Sequence, residues 1–269
     1  MARFICRQCG TQYPDSAAPP AACPICEDDR QYVRWGGQAW LTLDELRQTH
    51  RVVFAEEAPA ITGVCMEPAF AINQRALLLQ SPAGNVLWDC ITVITDEAVT
   101  EIERRGGLTA IAISHPHYYS AMVEWSDAFG GVPIFIHEDE RKWVQRPSPA
   151  VAFWSGETHA LNEAMTLVRC GGHFPGGQVL HWGAAMDGRG AIFTGDILMV
   201  AQDRRWVSFM YSFPNYVPLN RTAVERIATA LEPFAYDAIF GAWADRNCLG
   251  DGKAAVARSV ARYIEAITG

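Results

Sequence analysis

Residues 111–120 read IAISHPHYYS, and more of the architecture turns on this stretch than on any other. An apolar run, TAIAIS at 109–114, has the look of a buried strand and delivers His115 and His117 one residue apart. In extended chain, residues i and i+2 face the same way, about 6.6 Å apart at about 3.3 Å rise per residue, so two imidazoles spaced like this can bind one ion. Pro116 between them has no amide to donate, which suits a strand end better than a strand middle. The residues that follow, Tyr118, Tyr119 and Ser120, are not ready metal ligands.

Two further segments share the pattern. CGGHFPGG at 170–177 puts His173 in a glycine-rich loop just before the apolar run QVLHW. AIFTGDIL at 191–198 puts Asp196 just after another apolar run. Singly, each has a plain reading: a lone His after a strand is commonly a hydrogen-bonded loop residue, and a Gly-Asp pair is often a turn. Together and in this order, H-x-H at a strand end, then G-G-H-x-x-G, then T-G-D resembles the metallo-β-lactamase fold superfamily, over roughly residues 60–269.

The resemblance implies an α+β chain, an αββα sandwich with a metal site at one edge of its two sheets. It also implies that His115, His117 and His173 form a first metal site, completed or bridged by Asp196. The family's first motif usually reads H-x-H-x-D-H. Here Tyr119 stands at the Asp position and Ser120 at the following His position. The family's last His usually follows the final core strand, and here FGAWADRN offers Ala242 and Trp243 instead. A second site would keep only Asp196, so the expected centre is mononuclear. Three His and a carboxylate suffice for one zinc, or one iron.

A second metal signal stands at the front of the chain. Cys6 and Cys9 form one C-x-x-C turn and Cys23 and Cys26 another, joined by the Pro/Ala-rich loop TQYPDSAAPPAA. Four thiolates brought together suit zinc, or iron of the rubredoxin type. The pattern resembles rubredoxin-like and zinc-ribbon knuckles, and both a structural clip and an electron relay stay open. The domain expectation is a small metal-bound ribbon, a four-cysteine module, over 1–36 and a metallo-β-lactamase-like αββα domain over 37–269. Cys65, Cys90, Cys170 and Cys248 lie singly in apolar surroundings and read as core residues.

The chain has 269 residues, 49% of them hydrophobic and 19% charged, with a formal net charge of −8. That composition is globular. Its negative balance argues against general nucleic-acid binding. No apolar run approaches the roughly 18 residues of a membrane helix, and the start MARFICRQCG has no signal core, so a cytoplasmic protein is expected. A small-molecule substrate is the expected partner, and the oligomeric state is left open.

Local patterns fill in the rest. A short helix is expected at Leu43–Gln48, and RALLLQ and NVLWDC around SPAG read as a hairpin. TDEAVTEIERRGG reads as a helix capped by Asp96, and LNRTAVERIATAL as one capped by Asn220 with Val224, Ile227, Ala228 and Leu231 on its apolar stripe. The last helix is expected to carry Val256, Val260, Tyr263, Ile264 and Ile267 on one face.

Three functions fit these residues. The first is a metal-dependent hydrolase with a reduced, mononuclear site, attacking an ester, thioester or amide through a metal-bound water. Asp196 would serve as ligand or orient the water, and Tyr118 or Tyr119 would stabilise a developing oxyanion. The second is a mononuclear non-haem iron redox enzyme on His115, His173 and Asp196, fed by an iron at the four-cysteine site. The third is a non-catalytic protein that binds a ligand or partner, with Trp206, Phe209, Tyr211, Phe213 and Tyr216 lining a groove.

Overall fold

Runs of apolar residues buried on both faces set the strand framework. Ala76–Leu79 and Val86–Trp88 pair antiparallel as the expected hairpin, with Leu77 opposite Trp88 and Leu79 opposite Val86. Every residue of both strands is buried. The turn between them needs Gly84: its φ is +114, and a Cβ there would fall 2.6 Å from Thr109 Oγ1. These elements come from a computed structural model that describes residues 1–269. The chain divides into two compact units, residues 1–136 with 141–153, and residues 137–140 with 154–269.

In the first unit the chain leaves Val86–Trp88, forms the helix Asp96–Arg104 and returns as Ala110–Ala112, parallel to Val86–Trp88. A parallel neighbour requires such a crossover. Thr95, not Asp96, caps this helix: its Oγ1 accepts from the Ala98 amide at 3.2 Å. Thr95 is extended (φ −128, ψ 159) as a cap must be, whereas Asp96 already lies in the helix. Thr95→Ala is expected to cost about 1 kcal/mol, read as a lowered denaturant midpoint. The helix Met122–Ala128 then leads to Ile134–His137, parallel to Ala110–Ala112. The seven-stranded sheet runs Val151–Trp154, Ile134–His137, Ala110–Ala112, Val86–Trp88, Ala76–Leu79, Ile61–Glu67, Arg51–Ala58.

The front of this unit is a three-stranded ribbon, with Ala2–Cys6 between Gln12–Ser16 and Trp40–Thr42. Its third strand lies past residue 36, the expected end of the module, and Tyr13 packs edge-to-face on Trp40 at 5.1 Å. A Thr42/Glu45 capping box then starts the helix Leu43–Arg47.

The second unit holds a six-stranded sheet. Met165–Arg169, Gln178–Trp182 and Ala191–Gly195 are successive antiparallel strands, and Ala238–Gly241 lies parallel to Ala191–Gly195. The helix Arg221–Leu231 is capped by Asn220, whose Oδ1 accepts from the Ala223 amide at 2.9 Å. It buries Val224, Ile227 and Leu231 into a cluster with Val168, Ile192, Ile239 and Val256. The helix Gly252–Thr268 adds Val260, Tyr263 and Ile264 to that cluster. Ile267 does not join it: it is exposed in the final turn, which runs beyond the core. No helix is long and apolar enough to cross a membrane.

Candidate metal centres

Two groups of side chains offer metal ligands. In the ribbon, the Sγ atoms of Cys6, Cys9, Cys23 and Cys26 lie within 4.8 Å of one another, and all four residues are buried. Cys6 Sγ stands 3.6 Å from Cys26 Sγ, and Cys9 Sγ 3.7 Å from Cys23 Sγ. These are free thiols, not disulfides. Four sulfurs about 2.3 Å from one ion at the corners of a tetrahedron stand about 3.8 Å apart, so the donor set and its spacing fit. Gln38 Nε2 donates to Cys6 Sγ at 3.1 Å. Hydrogen bonds from Cys23 first, then Cys26 and Cys9, hold the Cys6 thiol far below its ordinary range. The same crowding, Cys23 first, pushes Cys26 up.

The second group forms where strands end. Beyond Ala110–Ala112, the Ser114 amide donates to Asp89 Oδ1 at 2.7 Å. His115 is extended (φ −170, ψ 174) and caps a 3-10 turn over Pro116–Tyr118. The two imidazoles were expected to meet by strand alternation. They meet instead across this turn, because the fixed φ of Pro116 suits the first position of a helical turn. Their ring centroids are 4.9 Å apart. His115 Nδ1 lies 3.0 Å from Ser114 Oγ.

His173 sits in its glycine-rich loop. Gly171 and Gly172 both have positive φ, and a Cβ at Gly172 would fall 2.8 Å from Ile227 Cδ1. His173 Nδ1 lies 3.0 Å from Met210 O. A carbonyl only accepts, so Nδ1 carries the proton and Nε2 keeps the lone pair that a metal needs. Asp196 follows Gly195 at the end of the strand Ala191–Gly195 and is 4% exposed. One ligand atom from each of His115, His117, His173 and Asp196 lies within 4.8 Å of the others, and all four residues are buried. Three imidazoles and one carboxylate make a fitting donor set for zinc.

The other candidates part company. The Tyr118 ring is buried 4.5 Å from the His115 ring. Tyr119 lines a small cavity with Thr11, Gln12, Ser120 and Arg146. Ser120 Oγ accepts from Gln74 Nε2 at 2.9 Å. The Ala242 amide donates to Gly195 O at 3.0 Å. His137 donates from Nε2 to Gly156 O at 3.1 Å and accepts at Nδ1 from the Asp139 amide at 3.3 Å. Burial pushes its pKa down. Glu67 pairs with Arg51, and Asp139 with Arg169.

The aromatic segment divides as well. Phe209 is buried in the core, and Trp206 lies under the guanidinium of Arg262 at 3.6 Å. Phe213 stands 5.8 Å from His173, and Tyr216 is exposed. Of the lone cysteines, Cys90, Cys170 and Cys248 are buried as expected, while Cys65 is half-buried. Met210 and Glu140 contribute without any signal in the sequence. Met210 acts through its carbonyl, which no residue type signals. Glu140, inside the charged run EDER, is buried and accepts the Gly176 amide of the His173 loop.

No family model matches the chain. It is 45% identical over 269 residues to the uncharacterized protein YmaE of Bacillus subtilis strain 168, covering 99% of this chain and 97% of that one. Among solved structures it is similar to a B3 metallo-β-lactamase with an active-site glutamic acid, with a TM-score of 0.52 and 15% identity over 85% of this chain and 97% of that one. The metallo-β-lactamase of Cronobacter sakazakii with a HARLDQ motif aligns with a TM-score of 0.51 and 18% identity, over 81% and 92%. The DIM-1 metallo-β-lactamase aligns with a TM-score of 0.59 and 11% identity, over 81% and 99%. At these identities the likeness establishes the fold alone, a mixed α+β fold that the four-cysteine cluster of this chain precedes.

Proposed function

We propose, for a chain that belongs to the family of Bacillus subtilis YmaE and has the metallo-β-lactamase fold, the role of a metal-dependent hydrolase with one ion in its His/Asp group. The observation that carries this reading is the convergence of three imidazoles and one carboxylate, buried and within 4.8 Å, on that fold. His115, His117 and His173 would hold the ion, zinc in the favoured form, with the fourth position left for water on the side of Asp196. A bound zinc supplies Lewis acidity, polarising a carbonyl oxygen and making water acidic enough to attack near neutral pH.

The chain's own groups do the rest. Met210 O fixes the tautomer of His173, and Ser114 Oγ orients His115. Asp196, in the same group, would orient that water and take up its proton. Tyr118, against the His115 ring, is the donor proposed for the developing oxyanion, in preference to Tyr119, which lines a cavity beside Thr11 and Gln12. A single ion is favoured because the second-site positions are committed elsewhere: Ser120 is bonded to Gln74, and Tyr119 and Ala242 bring no carboxylate or imidazole. His117 lies in the same group as the other three, which favours a three-His hydrolytic set over the two-His facial triad of iron oxygenases. The proposed substrates are small esters, thioesters or amides.

The test is turnover by zinc-loaded protein across a panel of esters, thioesters and lactams. Hydrolysis abolished by His173→Ala supports the reading. Tyr118→Phe is expected to lower kcat about 100-fold or more with KM little changed. No turnover of any member by fully loaded protein defeats it.

A further inference from the structure

The four-cysteine ribbon and the H-x-H loop belong to one unit, and hydrogen bonds join them. The first knuckle closes through the Gly10 amide, which donates to Cys6 O at 2.8 Å, and the Cys6 amide, which donates to Thr11 O at 3.0 Å. Gly10 has φ +81, and a Cβ there would fall 2.3 Å from Thr92 Oγ1. Thr92 Oγ1 donates to Gly10 O at 3.3 Å. Two residues on, the Gln12 amide donates to Ser120 O at 3.0 Å. The Gln12 side chain is itself anchored, donating to Glu124 at 3.2 Å and accepting from Arg146.

Ser120 is the recipient of this hold, and its backbone is left-handed, with φ +44. A serine keeps that conformation only where its surroundings over-determine it. Here Gln12 holds the carbonyl and Gln74 holds the hydroxyl. Ser120 stands at the end of the segment whose 3-10 turn brings the His115 and His117 rings together.

We infer that Gly10, Gln12 and Ser120 are positioning residues through which the four-cysteine cluster holds the H-x-H loop, so that ion binding at the two groups is coupled. Closing four thiolates around an ion fixes the knuckle, the knuckle fixes Ser120, and Ser120 fixes the turn that presents two of the ligands. Coupling of this kind is reciprocal: each ion raises the affinity for the other by the same factor. The inference rests on the reading of the His/Asp group as a metal centre.

Cobalt(II) reports the two groups separately, since thiolate-to-cobalt charge transfer marks the four-cysteine group and ligand-field bands without it mark the His/Asp group. Affinities come from competition with a chelator. In Cys23→Ser/Cys26→Ser, affinity at the His/Asp group is expected to fall about 10- to 100-fold, the usual effect of losing an outer support of metal ligands. In His115→Ala/His173→Ala, affinity at the four-cysteine group is expected to fall by the same factor. Gly10→Ala keeps every ligand and is expected to weaken the His/Asp group through its collision with Thr92. Adding Thr92→Ala removes the obstructing oxygen and is expected to restore part of the loss, with thermal midpoints taken alongside to separate this from general destabilisation. If the cysteine variant does not fold, the histidine variant and the Gly10 pair decide. Wild-type protein that loads both groups, with affinities unchanged in the variants, overturns the coupling. Wild-type protein that loads only the four-cysteine group overturns the metal-centre reading instead.

Discussion

Wild-type protein grown without added metal is expected to carry an ion at each group, while His115→Ala/His173→Ala keeps only the ion held by the four cysteines. Mass spectrometry of metal per chain reads this directly. The double substitution leaves His117 and Asp196, too few to close a tetrahedral site, so loss at the His/Asp group should be complete. The fold should survive, because the imidazoles sit in loops beyond the strand ends and not in the apolar sheet faces. Far-ultraviolet circular dichroism should therefore match wild type. Equal metal content in the two proteins would mean that the four buried ligands hold no ion, and the hydrolase reading would go with them. The identity of the lost ion separates zinc hydrolysis from iron redox chemistry.

Stripping the ion from the four cysteines, by chelation or by Cys23→Ser/Cys26→Ser, is expected to destabilise the front of the first unit severely. Structural zinc in small Cys-rich modules contributes apparent folding free energies of about 10–16 kcal/mol at neutral pH. The ribbon's own structure is slight: three short strands, and a loop rich in Pro and Ala between the two knuckles. If even about 5 kcal/mol of this is felt by the whole unit, Tm falls by roughly 10–20 °C. The edge-to-face contact of Tyr13 and Trp40 provides a local reporter, and its near-ultraviolet dichroism should vanish with the ion. An unchanged Tm and near-ultraviolet signal after complete loss of the ion would show that the ribbon folds without it.

Much of the site was legible because its signals are residue types at short spacings. C-x-x-C twice, H-x-H after an apolar run, a His among glycines and T-G-D each announce themselves in a few residues. Elements with strong local cues followed suit: the Asn220 cap stands as expected, and of the expected stripe Val224, Ile227 and Leu231 are buried while Ala228 is only partly so. Errors fell where two neighbours compete for one role. Thr95 and Asp96 can both cap, and backbone conformation chose Thr95. The His-Pro-His segment can be extended or turned, and it turns at Pro116. Ile267 keeps the helical period of the buried stripe but lies beyond the core's reach.

The fold, the two groups of possible ligands and the order of most strands and helices could be read from the residues alone, because periodicity and ligand chemistry are local properties. What lies behind the ligands came only with packing. The Met210 carbonyl on His173, the Asp89 carboxylate on Ser114 and the Gln12 amide on Ser120 join residues 37, 25 and 108 positions apart in the chain. Each of these contacts uses a backbone group on at least one side, and backbone groups are common to every residue type, so no pattern of side chains could have revealed them. They exist only once the packed strands bring distant loops within hydrogen-bond reach.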